Sequence, residues 1–101
     1  MSTQLQEVRD KAELALEEVE ADAGASPVFA AVVREFATKS AKAIELAAGD
    51  RQWDAVIELE QAADSAKAAA EADHGASEGS TSAVLGAHLA ICMLKARMGQ
   101  A

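Results

Sequence analysis

Ala83-Val-Leu-Gly-Ala-His-Leu-Ala-Ile-Cys-Met-Leu94 runs without a charge through a chain whose formal net charge is -8. Wound into a helix, this run is apolar on nearly every side. Such a helix cannot lie on a surface with one face in water; it has to be covered all round. The cover comes from the rest of this small chain or from a second chain, and either way the architecture is helix packed on helix.

The rest of the composition agrees. The chain has 101 residues, near the common size of one domain. Alanine occurs 26 times and outnumbers every other apolar type, with a single Pro, six Gly and no Tyr. Alanine is the best helix former because it loses no side-chain entropy on folding. Helices that meet through alanine approach closely but bury little area per contact, so each large residue counts for more. Nine bases scattered among seventeen acids argue against a nucleic-acid binder, whose affinity comes from clustered Lys and Arg. The same balance disfavours an anionic membrane surface. The one cysteine, Cys92, cannot form an intramolecular disulfide. The polar N-terminus is expected to carry no secretory signal, and the apolar run is too short for a hydrocarbon core of about 30 Å. A cytoplasmic protein is expected.

Punctuation divides the chain into four helices. Thr3-Gln-Leu-Gln6 fits a capping box. Leu5, Val8, Ala12, Ala15, Leu16 and Val19 follow at helical spacing, and Gly24 offers a left-handed stop. Ser26-Pro27 is a cap followed by proline at the first helical position. The second helix carries Phe29, Val32, Val33, Phe36, Ser40, Ala43, Ile44 and Ala47 on one stripe, up to Gly49. Asp50 is placed to cap the third helix, whose stripe is Trp53, Val56, Ile57, Ala63, Ala66 and Ala70. Residues 74–82, rich in Gly and Ser, read as a flexible linker. The expected helices span about 3–23, 27–48, 51–73 and 83–98.

The last helix carries two apolar faces. One is Leu85, His88, Leu89, Cys92 and Ala96; the other is Val84, Ala87, Ile91, Leu94 and Met98. A four-helix bundle needs one such face per helix, and surplus apolar area marks an interface. Gly86 and Ala90 form a small-xxx-small pair that lets another helix come close. Leu85, Leu89, Ile91, Leu94 and Met98 are the residues expected to carry self-association.

Chemistry-bearing groups are few. His88 and Cys92 share a helix face, but a nucleophilic dyad also wants an orienting third group, and none is near in sequence. Glu71-Ala-Asp-His74 has the Glu-x-x-His step of carboxylate metal helices, in a single copy at a helix end. Asp50, Asp54 and Glu58 stand at four-residue steps and form an acidic face suited to a basic partner. Trp53 is read as core.

Ala47–Ala62 (Ala-Ala-Gly-Asp-Arg-Gln-Trp-Asp-Ala-Val-Ile-Glu-Leu-Glu-Gln-Ala) resembles the middle of a tetratricopeptide repeat, with two extra residues after the Gly-Asp turn. The resemblance implies peptide or protein binding. No second copy stands at the 34-residue period such repeats require. In size and acidity the chain is similar to the Trp-x-Gly family of small secreted helical hairpins. Trp53-Asp-Ala55 lacks that family's glycine, and Pro27 interrupts its long first helix. Neither resemblance assigns a family.

The expectation is therefore one domain over residues 1–101: an all-α, Ala-rich, four-helix antiparallel up-down bundle, completed by its own helices or by dimerisation. Its expected role is that of an acidic protein–protein interaction module without catalytic activity. It is expected to pair as a homodimer through the C-terminal helix, with no cofactor, metal, nucleic acid or membrane. One alternative is an acidic inhibitor, such as a phage-type anti-CRISPR-like protein whose carboxylates mimic phosphates at a basic site. The other is a carboxylate metal-binding bundle.

Overall fold

A computed structural model describes residues 2–47, 49 and 51–99. Its four helices are α1 (Ser2–Ala21), α2 (Pro27–Leu46), α3 (Gln52–Ala72) and α4 (Glu78–Gly99). Each packs on two neighbours, α1 and α3 both lying against α2 and α4. With short turns between them, this is a square antiparallel bundle, 40 Å long and about half as wide. The ring closes within one chain, so no second copy is needed to complete the core.

The buried positions explain the bundle. Leu5, Val8, Ala12, Ala15 and Val19 face inward from α1, and Val56, Leu59, Ala63, Ala66 and Ala70 from α3. Both sets advance in steps of three and four, the spacing that keeps one seam facing a partner at a shallow crossing angle. From α2 the inward set is Phe29, Val33, Phe36, Ser40 and Ala43; from α4 it is Ser80, Val84, Ala87, Ile91 and Leu94.

These four sets are two sets repeated. Each of these positions of α1 and α2 recurs as a buried position 51 residues later in α3 and α4; Ala37 and Ala55 are buried without a buried counterpart. The turns repeat as sequence too: Glu20-Ala-Asp-Ala-Gly-Ala-Ser26 returns as Glu71-Ala-Asp-His-Gly-Ala-Ser77. The molecule is thus a pair of helical hairpins related by an approximate two-fold axis. The side chains compensate across that axis. Counting outward from the turn glycines puts Phe36 level with Ala12, and Ala87 level with Ala63. One phenylalanine ring then occupies the width that three alanines leave. Phe29 stands likewise at the level of Val19, Ala70 and Ser80.

Several boundaries differ from those read in the sequence. Thr3 lies inside α1 rather than capping it. The expected cap Asp50 falls outside the described residues, and Arg51 at the N-cap of α3 makes no side-chain capping bond. The supposed linker 74–82 is largely helix, because α4 already begins at Glu78. Its Gly-Ser-Thr-Ser start has poor intrinsic propensity, but Ser77 caps it: the Ser80 N–H donates to Ser77 Oγ at 3.2 Å. Tertiary contacts hold the same turn. Trp53 is 46% exposed rather than core. It stands in the first turn of α3, and Leu59, absent from the expected stripe, takes the inward place with Val56.

Candidate functional site

Three polar or apolar constellations stand out. The first joins the two repeated turns. Asp22 Oδ2 accepts from the Ser77 N–H at 2.7 Å and from the Ser80 hydroxyl at 2.8 Å. Asp73 Oδ2 accepts from the Ser26 N–H at 2.8 Å. Each aspartate also accepts from the glycine N–H of its own turn, at 3.0 Å in both. Each turn therefore caps the helix that the other turn begins. The glycines are required for proximity: a Cβ on Gly24 would overlap the Gly75 carbonyl oxygen, and the reverse holds for Gly75. Neither glycine adopts positive φ, so the expected left-handed stop at Gly24 is replaced by this close approach. The hydrogen bonds, led by the Ser77 N–H, pull the Asp22 carboxyl down to about 2 from an ordinary 3.8. The Ser26 N–H leads the same downward shift at Asp73.

The second constellation lies between α3 and α4. His88 Nε2 and Asp64 Oδ1 are 2.8 Å apart, and Cys92 Sγ sits 3.7–3.8 Å from both ring nitrogens. The orienting third group that the sequence did not offer is Asp64, delivered by the neighbouring helix. Its position 24 residues upstream gives no local signal; only the pairing of α3 with α4 reveals it. The thiol is nevertheless poorly set up as a nucleophile. Burial first, then the Glu60 and Asp64 carboxylates, push its pKa up, which favours the protonated form. A turn further on, Lys95 Nζ donates to Glu60 Oε1 at 2.8 Å, and that bond raises the lysine pKa. This seam is a chain of polar contacts between two helices whose inward positions include Ala63, Ala66, Ala70 and Ala87.

The expected acidic face is partly neutralised. Asp50 lies outside the described residues, and Asp54 and Glu58 are exposed. Glu58 is reached from α2 by Lys39, at 3.4 Å. Lys39 also pairs with Glu35 and Lys11 with Glu7, as their four-residue spacing suggests. Arg9 turns to Asp10 rather than to Glu13. Glu71 and His74 are exposed, with Asp73 between them engaged in the turn. Among the described residues no three His, Cys, Asp or Glu side chains converge as a metal site would require.

The third constellation is the outer face of α4. Of the five residues expected to carry self-association, Ile91 and Leu94 are buried in the chain's own core, and Met98 packs against that core. These three belong to the intramolecular face, because the α1–α2–α3 frame consumes the Val84–Ala87–Ile91–Leu94 side of the helix. Leu85 is half-buried. Leu89 is 58% exposed, and Met93, which the sequence reading passed over, is 49% exposed. Beside them a Cβ on Gly86 would meet nothing within 4 Å. From Ser82 to Ala96 the outward strip of Ser82, Leu85, Gly86, Leu89, Met93 and Ala96 bears no charge. A shallow groove runs along it against Gln4, Glu7 and Lys11 of α1.

The repeat supplies an internal control for that strip. The positions 51 residues earlier, on α2, are Arg34 for Leu85, Glu35 for Gly86, Thr38 for Leu89, Lys42 for Met93 and Glu45 for Ala96. All five are exposed. The fold thus accepts charged and polar residues at these places, and the apolar character of α4 is not a requirement of the bundle.

Comparison with protein-family profiles, characterised proteins and solved structures finds no match in any of the three. No helix among the described residues is long and apolar enough to cross a membrane.

Proposed function

We propose that this chain is a non-catalytic, acidic protein–protein interaction module that self-associates as a homodimer through the outer face of α4, in the cytoplasm. The observation that carries this reading is the contrast between the two halves. Equivalent outward positions hold Arg34, Glu35 and Lys42 on α2 but Leu85, Gly86 and Met93 on α4. Exposed apolar side chains that the fold does not need are best explained by a surface that covers them. The raised thiol pKa of Cys92 and its Sγ distances of 3.7 Å or more support a packing role for the Asp64–His88–Cys92 group.

The acidic-inhibitor reading has thinner support, since Lys39 already engages Glu58. A basic partner would still bind with steep salt dependence, whereas an apolar α4 interface would change little between low and high salt.

One helix face is smaller than a standard interface of about 1,600 Å², so dissociation is expected on dilution through micromolar concentrations. Sedimentation equilibrium across that range tests the reading. The expected result is a monomer–dimer equilibrium that Leu89→Glu abolishes without loss of helical circular dichroism. A strict monomer at every concentration overturns it.

A further inference from the structure

We infer that the two copies pair with α4 antiparallel to α4, on a two-fold axis passing between Ala87 and His88, so that Leu89 of each copy lies over Gly86 of the other. This orientation and register rest on the α4 reading above and go beyond it.

Charge sets the orientation. The strip is uncharged in its middle, but Glu78 stands in the first turn of α4 and Arg97 in the last. Parallel pairing would oppose Glu78 to Glu78, Arg97 to Arg97, and like ends of the helix dipoles to each other. Antiparallel pairing brings Glu78 to Arg97 twice, once at each end.

Side-chain size then checks the register that charge selects. Matching residue 78 with residue 97 puts the axis midway, between residues 87 and 88. Residue 89 then faces 86, residue 93 faces 82, and residue 85 faces 90. Read from the sequence, these pairs are Leu89 with Gly86, Met93 with Ser82, and Leu85 with Ala90. A large side chain meets a small one at each of these three levels, as close-packed helices favour. The space over Gly86 is open to receive the leucine. Charge and size are independent properties of the strip, and they give the same register.

The repeat also explains why assembly stops at two. A second apolar strip on α2 would let each bundle bind neighbours on opposite sides and grow into a filament. Arg34, Glu35, Lys42 and Glu45 occupy that place instead, so the isologous α4 pair is closed.

Electron–electron distance measurement tests the proposal on the full chain. A nitroxide is attached to Ala96→Cys in a Cys92→Ala background. Residue 96 would face Gly79 of the other copy, which leaves room for the label. The antiparallel register separates the two labels by about 25 Å along the axis, whereas parallel pairing brings them to about 10 Å. The expected result is one distance of about 25–30 Å that disappears when Leu89→Glu is added. A distance below about 15 Å that Leu89→Glu also removes overturns the antiparallel register and leaves α4 as the interface. A distance that survives Leu89→Glu, or a monomer at every concentration, overturns the α4 interface itself. Charge reversal gives an independent check. Glu78→Arg should weaken dimerisation about threefold, and Glu78→Arg with Arg97→Glu should restore it. Failure of the double variant to recover counts against the register.

Discussion

At Gly24 and Gly75 the absence of a side chain lets two turns touch, and three glycines of this chain can be separated by what a methyl group would meet. A Cβ on Gly24 runs into a backbone carbonyl, which cannot swing aside as a flexible side chain would. Gly24→Ala should therefore destabilise the bundle by about 1–3 kcal/mol, as overpacking does. Gly86→Ala meets open space inside a helix and should stabilise the folded subunit by about 1 kcal/mol. Thermal melts of dilute samples distinguish the two by sign. The aspartates two residues before Gly24 and Gly75 make the turns sensitive to acid. The Asp22 carboxyl titrates near 2 when folded and near 3.8 when unfolded. A depressed folded value means that the unfolded chain binds the proton more readily. The contribution of Asp22 is thus complete above about pH 4, and it fades as the pH falls through 2. Asp22→Asn should lower the melting temperature at pH 6, and its difference from the parent should narrow steadily between pH 4 and pH 2. A constant difference across that range would contradict the proposed turn-to-turn capping.

Among the elements, α1, α2 and the body of α4 were legible in the sequence, and the start of α4 was not. The α1 stripe from Leu5 to Val19 is read correctly because its polar face is strongly acidic and the contrast marks the inward side. Ser26-Pro27 sets the start of α2 as expected, with the Phe29 N–H donating to Ser26 Oγ at 3.2 Å. On α3 the contrast is weaker, since alanine is tolerated on either side of a helix, and the periodicity places Trp53 rather than Leu59 on the stripe. On α4 local propensity misleads: Glu78-Gly-Ser-Thr-Ser82 reads as linker until Asp22, 56 residues before its first residue, holds the Ser77 N–H. The signal that would have found this was the repeat of Glu-Ala-Asp-x-Gly-Ala-Ser, visible by comparing the chain with itself. A capped start makes a definite demand. Ser77→Ala should cost about 1 kcal/mol and raise amide exchange in the first turn of α4, an effect a flexible linker would not show. Packing asymmetry between the halves makes another. Phe36 stands at the level of three alanines, so no neighbour can expand into the space it leaves. Phe36→Ala should cost about 3–5 kcal/mol in urea denaturation, while Trp53→Ala, at an exposed position, should cost under about 1 kcal/mol.

For the whole molecule, the two-fold relation of the hairpins predicts what happens when their order is exchanged. The α1 and α4 helices are neighbours. Ser2 begins one and Gly99 ends the other at the same end of the bundle, where the α2–α3 connection also lies. Neighbouring helix axes lie about 8–10 Å apart, a gap that about five linker residues span. A circular permutant that starts at Gln52 and joins residue 101 to residue 1 through such a linker would run α3, α4, α1, α2. Every layer of the core, both capping aspartates and the glycine contact are preserved in that order, because each hairpin stays continuous. Loop-closure entropy changes little when one short connection replaces another. The permutant should therefore melt within a few degrees of the parent and keep the acid sensitivity of Asp22. A permutant opened at Gly75 cuts one of the two interlocked turns, removing the paired capping of α2 and α4 while leaving the heptad seams intact. It should fold with a markedly lower melting temperature. If the two permutants prove equally stable, the turns are passive connections and the seams alone hold the bundle. If the Gln52 permutant fails to fold while the Gly75 permutant succeeds, the hairpin is not the unit from which this molecule is built.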